Sequence, residues 1–307
     1  MRLGVVGMLP PDFRAIRKEH LQAVQALDLS TACFHIGPDI LFNVQPAECH
    51  TIKQLYAEQG MPLVQMGIGY GECLFDPAAE VRDRVVRSIS RGIELARDLD
   101  VQVALIRPGS LNPVGSYAPS AKNHTPECME RLVETLRRVA DKAEAEGQTI
   151  VIETYNTTIM NSPETNVQVV EAVGSARIRI VLDYVNHFQS LAQVYDSTAR
   201  INHIFEVMGA VCPVGHCKDI SVGNDLALHL NEDIPGAGEL DIATALRRWH
   251  ALQPDGYMLI EHIPNEKLPH DLSPDERKAW ELRPNPKYAQ AAANAHRIAR
   301  EAGVEVY

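Results

Sequence analysis

Four side chains able to bind a metal ion close four apolar runs in the second half of the chain. Glu153 follows Thr149-Ile150-Val151-Ile152, and Asp183 follows Ile178-Arg179-Ile180-Val181-Leu182. His216 ends Val214-Gly215-His216, and Glu261 follows Tyr257-Met258-Leu259-Ile260. If these runs are successive strands of a closed parallel sheet, their C-terminal ends share one face and the four side chains converge. Three carboxylates that close together could not all stay ionised without positive charge, and a divalent cation beside one imidazole resolves the repulsion. Three oxygen donors and one nitrogen suit Mn²⁺ best, with Mg²⁺, Co²⁺ or Zn²⁺ as alternatives, and do not resemble a sulfur-rich structural zinc site. One acid at a strand end is commonly a helix cap, and a lone His a satisfied core residue. Four in step at successive strand ends point to metal binding instead.

The elements that must position them alternate regularly. Strands are expected over residues 3–8, 31–36, 62–67, 101–107, 149–153, 178–183, 214–216 and 257–260. Helical periods follow them: one through Ile16, Leu21, Val24 and Leu27, then residues 47–59 and 77–99. A further helix opens at Thr125-Pro126-Glu127, a good N-cap with Pro behind it, and ends at Gly147. The rest are expected around 166–173, closed by Gly174, and over 188–208, 241–252 and 287–302. Eight strand–helix pairs with near-continuous apolar strands give a parallel sheet buried on both faces, and eight is the number that closes a barrel. The fold class is therefore α/β, a single (β/α)8 TIM barrel forming one domain over residues 1–307, because no linker-like stretch divides the chain. The longest irregular segments, residues 108–124, 221–240 and 264–286, all follow strands, where a barrel places its functional loops.

Composition narrows the function classes. Hydrophobic residues make up 45% of the 307 and charged residues 22%, an ordinary globular balance. Lys and Arg number 29 against 40 Asp and Glu, for a net charge of −11. That surface repels phosphate backbones, and no basic run offsets it, so nucleic acid is not an expected partner. No stretch reaches the ~20 apolar residues of a membrane span, and the N-terminal residues lack the pattern of a signal peptide. The six cysteines are scattered without a CxxC pair, as expected of free thiols in a cytoplasmic protein.

Other polar residues near strand ends are candidates for the same face. His35 and Arg107 end strands two and four; Arg107 could grip a carboxylate or hydroxyls, or pair with a loop acid. Gln65, Asn156, Asn186 and His187 could bind hydroxyls or support the ligands. Lys218 and Asp219 could orient the His216 region or bind substrate, and Asp219 could simply cap the following loop. His262 follows Glu261, so strand alternation should turn it to the opposite side, outside the metal shell. The Gly67-Ile68-Gly69-Tyr70-Gly71 turn lacks the spacing and Lys of a phosphate loop and reads as a tight connection.

Several longer motifs carry a family resemblance. Ile152-Glu153-Thr154-Tyr155-Asn156, Val181-Leu182-Asp183, Gly215-His216-Cys217-Lys218-Asp219, Pro235-Gly236-Ala237-Gly238-Glu239-Leu240-Asp241 and Leu259-Ile260-Glu261 occur in order along the chain. Together they resemble the xylose-isomerase-like TIM-barrel superfamily of sugar isomerases and epimerases. The resemblance implies that Glu153, Asp183, His216 and Glu261 bind one divalent metal and that Glu153 and Glu261 exchange the substrate's proton. A metal bridging a carbonyl and a neighbouring hydroxyl would acidify the intervening C–H by stabilising an enediolate. Returning the proton to the opposite face gives epimerisation, and to the adjacent carbon isomerisation. Loss of a leaving group from the same intermediate makes a lyase or dehydratase, and a sugar-binding or assembly subunit is the non-catalytic alternative.

The resemblance has gaps where substrate is held. Ketose 3-epimerases of the superfamily carry a second Glu near the position of Ile159, an Asp-x-x-His at strand six and an Arg near Val222. Here Asp183-Tyr184-Val185-Asn186-His187 puts the His one place late. The metal chemistry is implied and a carbohydrate substrate with it, but not a ketohexose. Similar proteins are often homo-oligomers, which makes self-association an expectation.

Overall fold

The computed structural model describes residues 1–263, 273, 276 and 286–307. Eight parallel strands close a barrel: β1 (Arg2–Val6), β2 (Ala32–Ile36), β3 (Gln65–Ile68), β4 (Val103–Ile106), β5 (Thr149–Ile152), β6 (Ile178–Asp183), β7 (Val214–Cys217) and β10 (Tyr257–Ile260). Each pairs with its sequence neighbours, and β10 closes the ring on β1 through Leu3–Met258 and Gly4–Leu259. The helices are α1 (Lys18–Gln25), α2 (Pro46–Glu58), α3 (Ala79–Leu99), α4 (Pro126–Ala145), α5 (Pro163–Val173), α6 (Leu191–Tyr195), α7 (Ser197–Met208), α8 (Ile242–Leu252) and α9 (Pro286–Glu301). The expected (β/α)8 architecture is the one found.

Alternation along the strands builds two cores. Val6, Cys33, Val64, Val103, Leu105, Val151, Val181, Val214 and Leu259 form one cluster inside the barrel. Their neighbours on the strands, such as Ile106, Ile150, Ile152, Ile180 and Ile260, join the helices in the larger outer cluster. Helix α3 contributes Val85, Ile89, Ile93 and Ala96 at steps of three and four. Its successor α4 starts as the residues dictate: the Thr125 side chain accepts from Cys128 N at 3.3 Å, with Pro126 in the first turn.

Two expectations fail between strands. The helix expected over 188–208 is broken: residues Val185–His187 form a 3₁₀ turn, Ser190 caps α6, and the chain leaves helical geometry at Asp196 before α7. The segment 221–240 is not irregular throughout but holds an antiparallel hairpin, β8 (Asp219–Val222) on β9 (Leu230–Asp233). Most of the expected loop 264–286 lies outside the described residues. All six cysteines are free and buried. No helix among the described residues is long and apolar enough to cross a membrane.

Candidate metal centre

Each of the four candidate ligands leaves its strand on the barrel side, two residues beyond a member of the inner apolar cluster. Glu153 still belongs to the ladder, its N–H donating to Ile106 O at 2.9 Å, and Asp183 pairs in register with His216. One ligand atom from each of Glu153, Asp183, His216 and Glu261 lies within 4.8 Å of the others. Their exposures are 4, 1, 0 and 3%. His216 Nδ1 is 2.9 Å from Glu261 Oε2, 3.7 Å from Asp183 Oδ2 and 3.9 Å from Glu153 Oε1.

The polar atoms of the cluster converge without satisfying one another. Neither oxygen of Asp183 makes a hydrogen bond, nor does His216 Nδ1, although charged neighbours lie within reach. The other imidazole nitrogen, Nε2, donates to the Gln65 amide oxygen at 3.0 Å, which aims Nδ1 at the carboxylates' centre. A metal-bound His is normally oriented in this way by its second nitrogen. Four buried ligand atoms, three oxygens and one nitrogen around one point, fit a divalent cation.

A divalent cation and one imidazole are not the only positive charges available to these acids. Lys218, fully buried, places Nζ 2.8 Å from Asp183 Oδ2, 3.0 Å from Glu261 Oε1 and 2.8 Å from Glu232 Oε1. Burial works to lower its pKa, but those carboxylates outweigh burial and hold it well above the ordinary value. His216 behaves likewise: burial opposes the charged ring, and Glu261 and Asp183 still raise it to about 10. The two glutamates diverge. Burial raises Glu153, and the charge of Glu261 adds to that. Burial would raise Glu261 as well, but His216, Lys218 and His262 drive it well below the usual carboxylate range. Two acids with opposed tendencies in one site are the usual raw material of proton exchange.

The remaining candidates fall into different settings. Lys218 spends its donors on the acids and does not face an open mouth. His35 stays solvent-exposed, and its ring lies across Gly67, where an added Cβ would come within 1.8 Å of Cδ2. Arg107 forms no salt bridge to a loop acid among the described residues; its Nη2 donates to Tyr70 O at 2.6 Å. Asn156 braces the neighbouring loop by donating Nδ2 to Phe188 O at 2.7 Å, and its N–H bonds Asn186 O at 3.1 Å. The Asn186 amide nitrogen is buried without an acceptor. His187 turns away from the ligands toward Thr154 on the helix side, 3.3 Å from its hydroxyl, and burial lowers its pKa to about 4.

Of two other polar residues, Asp219 takes the capping role the sequence left open, and His262 departs from its expected direction. Asp219 is a loop cap: Oδ2 accepts from Gly236 N and Gly238 N, and Oδ1 from Ile220 N and Leu240 N. Gly238 is required there, since its Cβ would lie 2.2 Å from Ile220 O. His262 stays outside the ligand group, but alternation mispredicts its direction. Its backbone enters the left-handed region at φ 51°, and the ring comes 3.1 Å from Lys218 Nζ and 3.0 Å from Glu232.

Sequence reading missed Glu232, Tyr70, Tyr117 and Tyr155. Glu232 arrives on β9, and Gly223-Asn224-Asp225 was the available sign of a hairpin turn. Tyr155 stands two residues after Glu153, a spacing that could have placed it on the same side.

A closed (β/α)8 barrel with a buried carboxylate–imidazole cluster on the C-terminal ends of four successive strands defines the class of molecule. The chain belongs to the xylose isomerase-like TIM barrel family, whose sequence pattern matches residues 21–306. None of the curated proteins matches it at the sequence level. Among solved structures it is similar to the apo form of 3-keto-D-glucoside 4-epimerase, YcjR, from E. coli, at 15% identity and TM-score 0.69, covering 97% of this chain and 99% of that one. It is also similar to D-psicose 3-epimerase crystallised in the presence of D-fructose, at 18% identity and TM-score 0.68, with 98% and 99% covered. D-psicose 3-epimerase with D-tagatose from Clostridium cellulolyticum H10 gives 16%, TM-score 0.69, and 99% and 100%. At such identities the likeness concerns the fold.

Proposed function

We propose that the protein is a divalent-metal-dependent isomerase or epimerase of a sugar or related polyol-carbonyl compound. The observation that carries this reading is the buried group Glu153, Asp183, His216 and Glu261 at the barrel mouth, whose ligand atoms lie within 4.8 Å of one another. These four side chains would hold the metal, with Mn²⁺ the best fit to the donor set. The cation would supply polarisation of the substrate carbonyl and of the adjacent hydroxyl. Glu153 and Glu261 would flank the substrate, one carboxylate taking the proton from carbon while the other carboxyl group returns one. The divergent pKa directions of the pair support that division of labour. Lys218 would keep Asp183 and Glu261 ionised, and Gln65 would hold the His216 ring in the ligating tautomer.

The test is proton exchange. Mn²⁺-loaded protein is incubated with a panel of ketoses and cyclitol ketones in D₂O and followed by proton NMR. The reading requires deuterium at a carbon next to the carbonyl, without loss of water or of an aglycone, and no incorporation by chelator-treated protein. Elimination without exchange-only products would make the protein a lyase, and failure to exchange any substrate would contradict the reading.

A further inference from the structure

Arg107 holds an unspent positive charge at the mouth. Ile106 pairs in register with Ile152, so Arg107 and Glu153 leave adjacent strands side by side. Yet the guanidinium pairs with no acid among the described residues. It lies over the rings of Tyr70 and Tyr117, 5.2 and 5.5 Å from their centroids, and gives one N–H to Tyr70 O. The Tyr70 hydroxyl accepts from Arg107 N at 2.8 Å and donates to Arg107 O at 2.6 Å, so one tyrosine fixes both ends of the residue. Among the described residues, one of the five guanidinium N–H groups is engaged, and Nε is sealed from solvent without an acceptor. The loop after β5 adds another idle donor: the Tyr155 hydroxyl is buried and makes no hydrogen bond, its ring edge-on to Tyr117 at 4.5 Å.

Buried N–H and O–H groups without acceptors are costly, so a ligand is expected to supply the oxygens. Neutral hydroxyls would satisfy the hydrogen bonds only. A carboxylate would satisfy the fork of donors and the charge together. Among the acids of the cluster, Asp183 and Glu261 are already engaged by Lys218 and His216, and Glu153 forms no ion pair with the guanidinium.

We propose that Arg107 and Tyr155 form a carboxylate subsite, so that the substrates are sugar acids such as keto-uronates rather than neutral ketoses. The choice of substrate class rests on the proposed isomerase or epimerase activity, whereas the binding subsite can be tested without it. Calorimetric titration of Mn²⁺-loaded protein with D-glucuronate and D-glucose tests binding. Glucuronate is expected to bind about tenfold tighter or more, the advantage shrinking in Arg107→Gln and, by a few-fold, in Tyr155→Phe, which removes only a hydroxyl. Equal affinity for the two sugars in the wild type, or an acid preference that Arg107→Gln retains, would overturn the subsite. Deuterium exchange into D-fructuronate and D-fructose separates the two claims. Arg107-dependent acid binding with no exchange refutes the isomerase reading and leaves the subsite standing. Exchange of D-fructose with no acid preference in binding refutes the subsite and leaves the isomerase.

Discussion

Two layers of the same four strands stand one step of alternation apart. Val151, Val181, Val214 and Leu259 fill the barrel, and Glu153, Asp183, His216 and Glu261 sit two residues further along on the same side. The lower four are 0, 1, 1 and 0% exposed and the upper four 4, 1, 0 and 3%, so burial does not distinguish them. Its consequence does. Removing the lower side chains from water stabilises the fold by roughly 25 cal/mol per Å² of apolar surface. Removing the upper ones from water is unfavourable unless charges compensate, which Lys218 and the protonated His216 do here. One backbone thus carries an apolar layer that holds the molecule together and, two residues above it, a layer of buried charge.

Substitutions in the two layers should fail in different ways. Glu153→Gln, nearly isosteric, should lower turnover by about 10²–10⁴-fold, the range for loss of a general acid or base, while the protein stays folded; kcat beside a thermal melt checks this. Leu259→Ala, in the layer below, should do the reverse. It should lower stability by about 2–5 kcal/mol in denaturant titration and keep the metal stoichiometry. Gln65→Leu touches neither layer's chemistry directly and should weaken Mn²⁺ binding about 10–100-fold by releasing the imidazole.

The smallest effect concerns protons. In metal-free protein His216 titrates near 10 rather than at its ordinary 6.5. Its charged form therefore adds stability that is complete below 6.5 and lost as pH rises through about 10. A cation at Nδ1 must displace that proton, so Mn²⁺ affinity should increase with pH across this window. Titration in buffers of different ionisation enthalpy should show proton release, reduced in His216→Gln.

How much was legible in the sequence follows the same division. The barrel and the convergence of Glu153, Asp183, His216 and Glu261 could be read because period-two alternation carries straight from Val151 to Glu153 and from Val181 to Asp183. The strand Ile178–Asp183 has the expected bounds. Legibility ended where side chains cross between elements. Nothing local says that Lys218 reaches acids on β6, β9 and the end of β10, or that a hairpin delivers Glu232 to it. His262 defeats alternation because its backbone turns left-handed immediately after Glu261. The break between α6 and α7 was hidden because Ser190 and Asp196 interrupt the helix without a Gly or Pro to mark it.

Crystals grown with Mn²⁺ and measured at the manganese absorption edge test the central claim most directly. The account predicts one anomalous peak bonded to Glu153, Asp183, Glu261 and the Nδ1 of His216. A peak elsewhere, or none at this point with Lys218 still spanning Asp183 and Glu261, would contradict it.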